Sequence, residues 1–360
     1  MAFRYKEVKD QIFDQIIHMN PHDKIPSRTE LCAQYMVTRT TVDRAISELI
    51  GDGHLYAVDG SGTYVSDLAV NETSLKKNVI NIGVLLPDIM HDTYPGILRG
   101  VEDVAEKQGI NVVICNTDND SEKQLSYEKR LLNSKVSGMI IIPAANGDQN
   151  FSLYPILEQA HIPFVFCNRD VPGTDKPLIS SNDFYGGFIA TKHLIECGYK
   201  KIAYLSAMRY TASVNRYHGY LAAHWDTGLP VDDGLVSFSD KRASSSDSGY
   251  EQMNKLLDTR DDVDGVFCFN DQIACGAITA IKEHGLRLSD DIGLVGYDNT
   301  PICEMMAVKL TSMSYRNYEI GSNAAQTLCR MIQDSDAPVE RLMVFQPEIV
   351  IRDSCLGKTR

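Results

Sequence analysis

The sequence predicts an α/β chain in two parts: a small helical unit closed by a β-hairpin, then a larger two-lobed unit built on two parallel sheets. Two observations carry this. The first 65 residues read as three short helices and a hairpin. From residue 79 onward, continuous β-branched runs alternate with helical stretches, as in parallel sheets covered on both faces. The length of 360 residues agrees, since a chain this long divides into two or three domains.

The first helix follows from the one-sided stripe Tyr5, Val8, Ile12, Phe13, Ile16 and Ile17. After the turn Asn20-Pro21-His22-Asp23, Ser27 with Glu30 three residues later forms a capping box that starts a second helix. Thr38 is placed to cap a third, with Val42, Ala45, Ile46 and Leu49 as its buried face, and Gly51-Asp52-Gly53 ends it. Leu55–Val58 and Thr63–Val65 flank the Gly-rich turn Asp59-Gly60-Ser61-Gly62 and pair as a hairpin. Residues 1–67 thus read as a winged helix-turn-helix. Residues 68–78, polar and without periodicity, read as a linker, and 79–360 as the two-lobed domain.

Within that domain the runs are Val79–Leu86, Val112–Cys115, Met139–Ile142 and Phe164–Phe166, then Lys201–Leu205, Leu235–Phe238, Val266–Phe269 and Ile292–Gly296. Two sets of four, split near Ser181–Lys200, predict two similar lobes around a cleft. Ligands of such sheets sit beyond the carboxyl ends of the strands, so the residues directly after each run are the candidates.

Composition sets limits. Net charge is −13, and residues 1–70 hold seven Lys and Arg against ten Asp and Glu. DNA binding by this unit therefore needs its cations placed locally. The nine cysteines are scattered singly with no C-x-x-C pair and no Cys/His ligand spacing, which predicts reduced thiols, no metal site and a cytoplasmic protein. No apolar run reaches the roughly 18 residues of a spanning helix, and the charged start MAFRYKEVKDQ lacks the apolar region of a signal peptide, so no membrane partner is expected. G-x-S-x-G, G-x-x-x-x-G-K-[ST] and H-E-x-x-H are all missing, and Leu86-Pro87-Asp88 stands where a dinucleotide loop would follow the first strand. The expectation is a protein that is not an enzyme and uses no cofactor.

The third helix opens with Arg39-Thr40-Thr41, the composition of a recognition helix. Arginine forks onto guanine, threonine hydroxyls suit phosphate or the thymine methyl, and free N–H groups at a helix start favour phosphate. The run Ile25-Pro26-Ser27-Arg28-Thr29-Glu30-Leu31, Val37-Thr38-Arg39-Thr40-Thr41-Val42-Asp43-Arg44-Ala45 and Gly60-Ser61-Gly62-Thr63-Tyr64-Val65 resembles the winged helix of the GntR family. The resemblance implies operator contacts by Thr38, Arg39, Thr40 and Thr41, and a wing at Gly60, Ser61 and Gly62 approaching the minor groove. Arg28 is a candidate phosphate contact, and Arg44 lies on the same face, as a DNA contact or a solvated side chain. Asp43 departs from the family, which often has Arg there; it can accept from cytosine, cap, or repel.

Ile82-Gly83-Val84, Arg99-Gly100-Val101-Glu102, Arg216-Tyr217-His218-Gly219-Tyr220, Phe269-Asn270-Asp271-Gln272, Gly296-Tyr297-Asp298-Asn299 and Leu310-Thr311 stand in an order and spacing that resemble LacI/GalR-type repressors. These share a periplasmic-binding-protein-like fold, so the resemblance implies a small-molecule sugar effector bound between the lobes. Arg216 supplies a fork for vicinal hydroxyls, Asp298 an acceptor, and Asn270 a group that donates and accepts at once. Asn168 and Arg169 follow the fourth run, Arg169 as ligand contact or interlobe ion pair. Tyr94 and Phe238 are candidate aromatic faces, Asp271 reads as a helix cap, and Trp225 as packing. The fusion of the two types resembles the arabinose-responsive repressors of Gram-positive bacteria and implies a homodimer, joined through the second domain, on a pseudo-palindromic operator. A purine or phosphosugar effector, or an effector acting as co-repressor, fits the same architecture.

Overall fold

The computed structural model describes residues 4–67, 80–145, 153–171, 173–207, 210–239 and 245–357. The chain divides into two compact units, Met1–Val79 and Ile80–Arg360. The linker 68–78 and Val79 lie outside the described residues.

In the first unit, α1 (Arg4–Ile16), α2 (Arg28–Tyr35) and α3 (Arg39–Gly51) precede the hairpin β1 (Leu55–Val58) and β2 (Gly62–Val65). Val8, Ile12 and Ile16 of α1 close on Leu31 of α2 and on Val42, Ala45, Ile46 and Leu49 of α3. Tyr5, Phe13 and Ile17 flank that stripe and are half-buried. The capping box forms: Glu30 N donates to Ser27 Oγ at 3.3 Å and Ser27 N donates to Glu30 Oε2 at 2.7 Å. Thr38 takes the N-cap position of α3 but makes no side-chain cap; its hydroxyl bonds the Thr41 hydroxyl at 3.0 Å instead. The hairpin pairs Leu55 with Val65 and Val58 with Gly62. Its turn needs φ of 73° at Gly60 and 139° at Gly62, values that only glycine adopts without strain.

The second unit holds two six-stranded sheets. The first comprises β3 (Asn81–Leu86), β4 (Asn111–Asn116), β5 (Gly138–Ile141), β6 (Phe164–Cys167), β7 (Leu178–Ser181) and β13 (Leu342–Phe345), in the order β13-β7-β6-β5-β3-β4 and parallel throughout. The second comprises β8 (Ile202–Ser206), β9 (Val236–Phe238), β10 (Gly265–Cys268), β11 (Gly293–Asp298), β12 (Thr311–Ser314) and β14 (Glu348–Val350), in the order β14-β12-β11-β10-β8-β9, with only β14 antiparallel. Helices α4 (Thr93–Gln108), α5 (Ser121–Asn133) and α6 (Leu153–Gln159) belong to the first lobe. Helices α7 (Asp183–Glu196), α8 (Thr211–Thr227), α9 (Ser246–Leu257), α10 (Asp271–Glu283) and α11 (Ile302–Met305) belong to the second, and α12 (Asn317–Gln333) returns to pack on α4 and on β5, β6 and β7.

Each lobe thus has six strands where the sequence reading finds four. The additions are β7, β12, β13 and β14. Leu-Ile-Ser-Ser and Thr-Ser-Met-Ser look polar, yet Ser181, Thr311 and Ser312 are buried. The chain crosses between lobes three times: after β7 at Asn182, after β12 at Tyr315 and Arg316, and between β13 and β14 at Gln346 and Pro347.

Candidate functional sites

On the first unit, Thr38, Arg39, Thr40, Arg44, Gly60 and Ser61 are exposed, and Thr41 and Gly62 are half-buried. Arg39 is the most exposed of the three candidate arginines, at 79% side-chain exposure, and among the described residues it is tethered by Asp43 at 3.8 Å. Asp43 also holds Arg28, whose Nε lies 3.5 Å from its carboxylate and whose Nη1 donates to Thr63 Oγ1 at 2.5 Å. Arg28 thus ties α2 to α3 and the wing, and Asp43 organises two arginines. Arg44 stacks over Tyr5 at 3.9 Å and pairs with Glu48 at 3.5 Å, and Ser61 Oγ bonds Tyr64 OH at 2.5 Å.

In the second unit a cavity of ≈ 370 Å³ lies between the lobes. Its walls are strand ends. Asp88 follows β3, Asn168 and Arg169 follow β6, Phe269 and Asn270 follow β10, and Asp298 ends β11. Tyr94 and Thr93 reach it from α4, Tyr210 and Arg216 from the start of α8, and Tyr315 from the second crossing. Tyr94, Asn168, Arg169, Arg216, Asn270 and Asp298 therefore share one cavity. Phe238 does not. It ends β9, the edge strand beyond β8, and its ring packs against Tyr204 and Tyr217 at 5.8 and 5.5 Å.

Arg216 is 2% exposed. Its Nε donates to Asp183 Oδ1 at 2.9 Å, Nη1 to the Phe269 carbonyl, and Nη2 to Tyr315 OH at 2.7 Å. The guanidinium lies over the Tyr297 ring at 3.5 Å and the Phe269 ring at 4.3 Å. Three of its five N–H donors are thus committed, leaving one on each terminal nitrogen. Asp298 Oδ1 is 3.9 Å from Nη2. Burial pushes the Asp298 carboxyl up to about 8, with Arg216 pulling the other way. Burial likewise lowers the pKa of His91 in the same wall, while Asp88 and Asp92 oppose the shift.

Arg169 makes no interlobe ion pair among the described residues. Nη1 donates to Asn119 Oδ1 at 2.7 Å and to the Pro143 carbonyl at 2.9 Å, Nη2 to Tyr94 OH at 3.3 Å, and the group lies 5.0 Å from the Tyr210 ring centroid across the cleft. One buried oxygen of the wall, Asn168 Oδ1, has no hydrogen-bond partner among the described residues, as expected of a group awaiting a polar ligand. Asn270, not Asp271, caps α10, accepting from Ile273 N at 2.9 Å. Asp271 instead accepts from Thr300 N at 2.8 Å, Thr300 Oγ1 at 3.0 Å and Ser312 Oγ at 2.6 Å, fixing the loop after β11. Trp225, read as packing, is 80% exposed.

Comparison with known proteins agrees with this fold. Residues 4–65 match the model of the bacterial regulatory proteins of the gntR family, and residues 191–355 that of a periplasmic binding protein-like domain. An arabinose metabolism transcriptional repressor of Geobacillus stearothermophilus is 30% identical over 358 residues, covering 98% of this chain and 97% of the relative. This chain belongs to the transcriptional repressors of GntR/LacI type. The repressor also matches an HTH-type transcriptional repressor PurR of Mannheimia succiniciproducens, 32% identical over 78% of this chain and 83% of that one. Among solved structures, a LacI family regulator from Enterococcus faecium with bound ribose superposes with a TM-score of 0.68 at 26% identity, covering 78% of this chain and 100% of that one.

For this repressor, sequence reasoning missed Tyr210, Phe269, Tyr315 and His91 in the cavity wall and Asp183 behind Arg216. Tyr315 follows a strand that reads as polar, which hid it. Phe269 was inside a recognised run and directly before Asn270, so its position was available. No helix among the described residues is long and apolar enough to cross a membrane.

Proposed function

We propose that this repressor holds a carbohydrate-utilisation operon closed and releases its operator when a neutral monosaccharide, L-arabinose or a close relative, fills the cavity between the lobes. It acts as a cytoplasmic homodimer joined through the second unit and catalyses no reaction. Thr38, Arg39, Thr40 and Thr41 enter the major groove, the Gly60–Gly62 wing approaches the minor groove, and Arg28 and Arg44 support this face. The observation that carries the effector reading is the cavity wall itself. It offers the two remaining N–H groups of Arg216, the Asp298 carboxyl, the unpartnered oxygen of Asn168, and the rings of Tyr94, Tyr210 and Phe269. Forked donors, acceptors and apolar faces at that density suit vicinal hydroxyls and the C–H side of a sugar ring. The names of the relatives point the same way, in arabinose and in bound ribose.

A second reading, an anionic effector such as a phosphosugar, has one observation in its favour. Among the described residues, Arg169 faces the cavity with only uncharged hydrogen-bond partners. Thermal unfolding of the full chain against pentoses, hexoses, disaccharides, phosphosugars and purines separates the two. A ligand at about 1,000 times its Kd adds about 4 kcal/mol of stability. A shift with L-arabinose followed by loss of operator binding supports the first reading. A shift with phosphosugars alone overturns it in favour of the second, and tighter operator binding with the sugar makes the effector a co-repressor.

A further inference from the structure

We propose that Asp183 and Tyr315 are positioning residues that clamp Arg216 to two of the three interlobe crossings, so that an occupant of the cavity is felt directly at the hinge. The proposal rests on the reading of the cavity as the effector site.

Asp183 follows Asn182 in the first crossing, and Tyr315 follows β12 in the second. Arg216 donates to both, and Tyr315 OH donates to the same Asp183 Oδ1 at 2.8 Å, closing a triangle. All three are buried, Arg216 at 2%, Asp183 at 6% and Tyr315 at 7% exposure. The triangle therefore works where water does not compete for its bonds. The third anchor of the guanidinium, the Phe269 carbonyl, belongs to the second lobe itself. Gly187 of α7 permits this arrangement: a Cβ there would collide with the Arg216 backbone, so α7 lies directly against the residue that carries the clamp.

A guanidinium is a rigid plane with its donors at fixed angles. A ligand that draws the two free N–H groups toward itself cannot rotate that plane without disturbing the bonds to Asp183 and Tyr315. Lobe closure moves the two crossings, so the clamp has a different geometry in the open and closed states. The effector then binds the two states with different affinity, the condition for any shift between them. The clamp couples; it does not need to add affinity.

Two measurements on the full chain test this. The first uses L-arabinose and operator DNA. With the sugar saturating, so that any change in sugar Kd is measured apart from the coupling, Tyr315→Phe should shrink the sugar-induced fall in operator affinity by about 10-fold, within the usual span of allosteric coupling. Asp183→Asn, which keeps the acceptor oxygen, should retain most of the coupling that Asp183→Ala loses. The second needs no ligand. Arg216→Lys keeps the charge but not the fork, and amide hydrogen exchange should rise at both 182–186 and 314–318. Unchanged coupling in Tyr315→Phe, or exchange that rises at one crossing or neither, overturns the clamp. A wild-type protein indifferent to L-arabinose defeats the effector reading for that sugar, and the exchange measurement still judges the clamp.

Discussion

Asp298 stands at the end of β11 with φ of 96°, a backbone conformation that side chains rarely adopt, and its carboxyl is pushed by burial up to about 8. The sign of the consequence follows by linkage. In the folded chain the group holds its proton up to about pH 8, whereas unfolded it releases it near pH 4. Folding therefore binds a proton across that window, and stability falls as pH rises from about 4 to about 8, then levels. Glu128, buried on α5 and raised to about 7, acts with the same sign over a narrower range. The midpoint of thermal unfolding should drop between pH 6 and pH 8.5, and Asp298→Asn should flatten the part of the drop above pH 7. An Asp298→Asn protein with the wild-type profile there would place the titration elsewhere. At this scale the sequence was legible where chemistry and position coincide. Arg216, Asn270 and Asp298 sit in ordered motifs, Asn270 and Asp298 at strand ends and Arg216 on α8, and all three reach the cavity. Phe238 sits at a strand end too, but lateral distance from the cleft depends on strand order, which periodicity does not encode.

Hydrophobic runs mark central strands, because both faces of a central parallel strand are buried. β3, β5, β6, β8, β10 and β11 are of this kind, and their burial is nearly complete along their length. The edge strand β13 alternates exposed and half-buried residues, and β7 and β12 carry buried hydroxyls, so neither gives that signal. Helix packing was equally silent. Helices α7 and α8 meet at Gly187 and Gly219, where a Cβ on either would strike the backbone of the other helix, at Arg216 and at Phe184. Glycine in a helix interior costs up to about 1 kcal/mol against alanine, so in isolation both positions favour substitution. The close approach reverses that preference. Gly187→Ala should destabilise the second unit by about 1–3 kcal/mol, the range for overpacking, rather than stabilise it. Chemical denaturation read by tryptophan-independent ellipticity would decide, and a gain in stability would mean that the two helices separate freely.

At the scale of the whole molecule, the charge of −13 opposes DNA, and most described cations of the first unit are already engaged. Lys9 pairs with Asp52 at 2.7 Å, Arg28 and Arg39 share Asp43, and Arg44 pairs with Glu48. Non-specific attraction is consequently weak, and affinity has to come from a few well-placed contacts used more than once. The proposed homodimer would supply the repetition, since two readers on one pseudo-palindrome double every contact. Arg39 is the most informative position because it is the most exposed of these cations. A bidentate arginine–guanine contact is worth about 1–3 kcal/mol, so Arg39→Ala should cost that amount on a half-site and about twice as much on the full operator. Titrations of both DNA lengths at one fixed salt concentration measure the ratio. Equal losses on the two would mean that a single reader engages at a time.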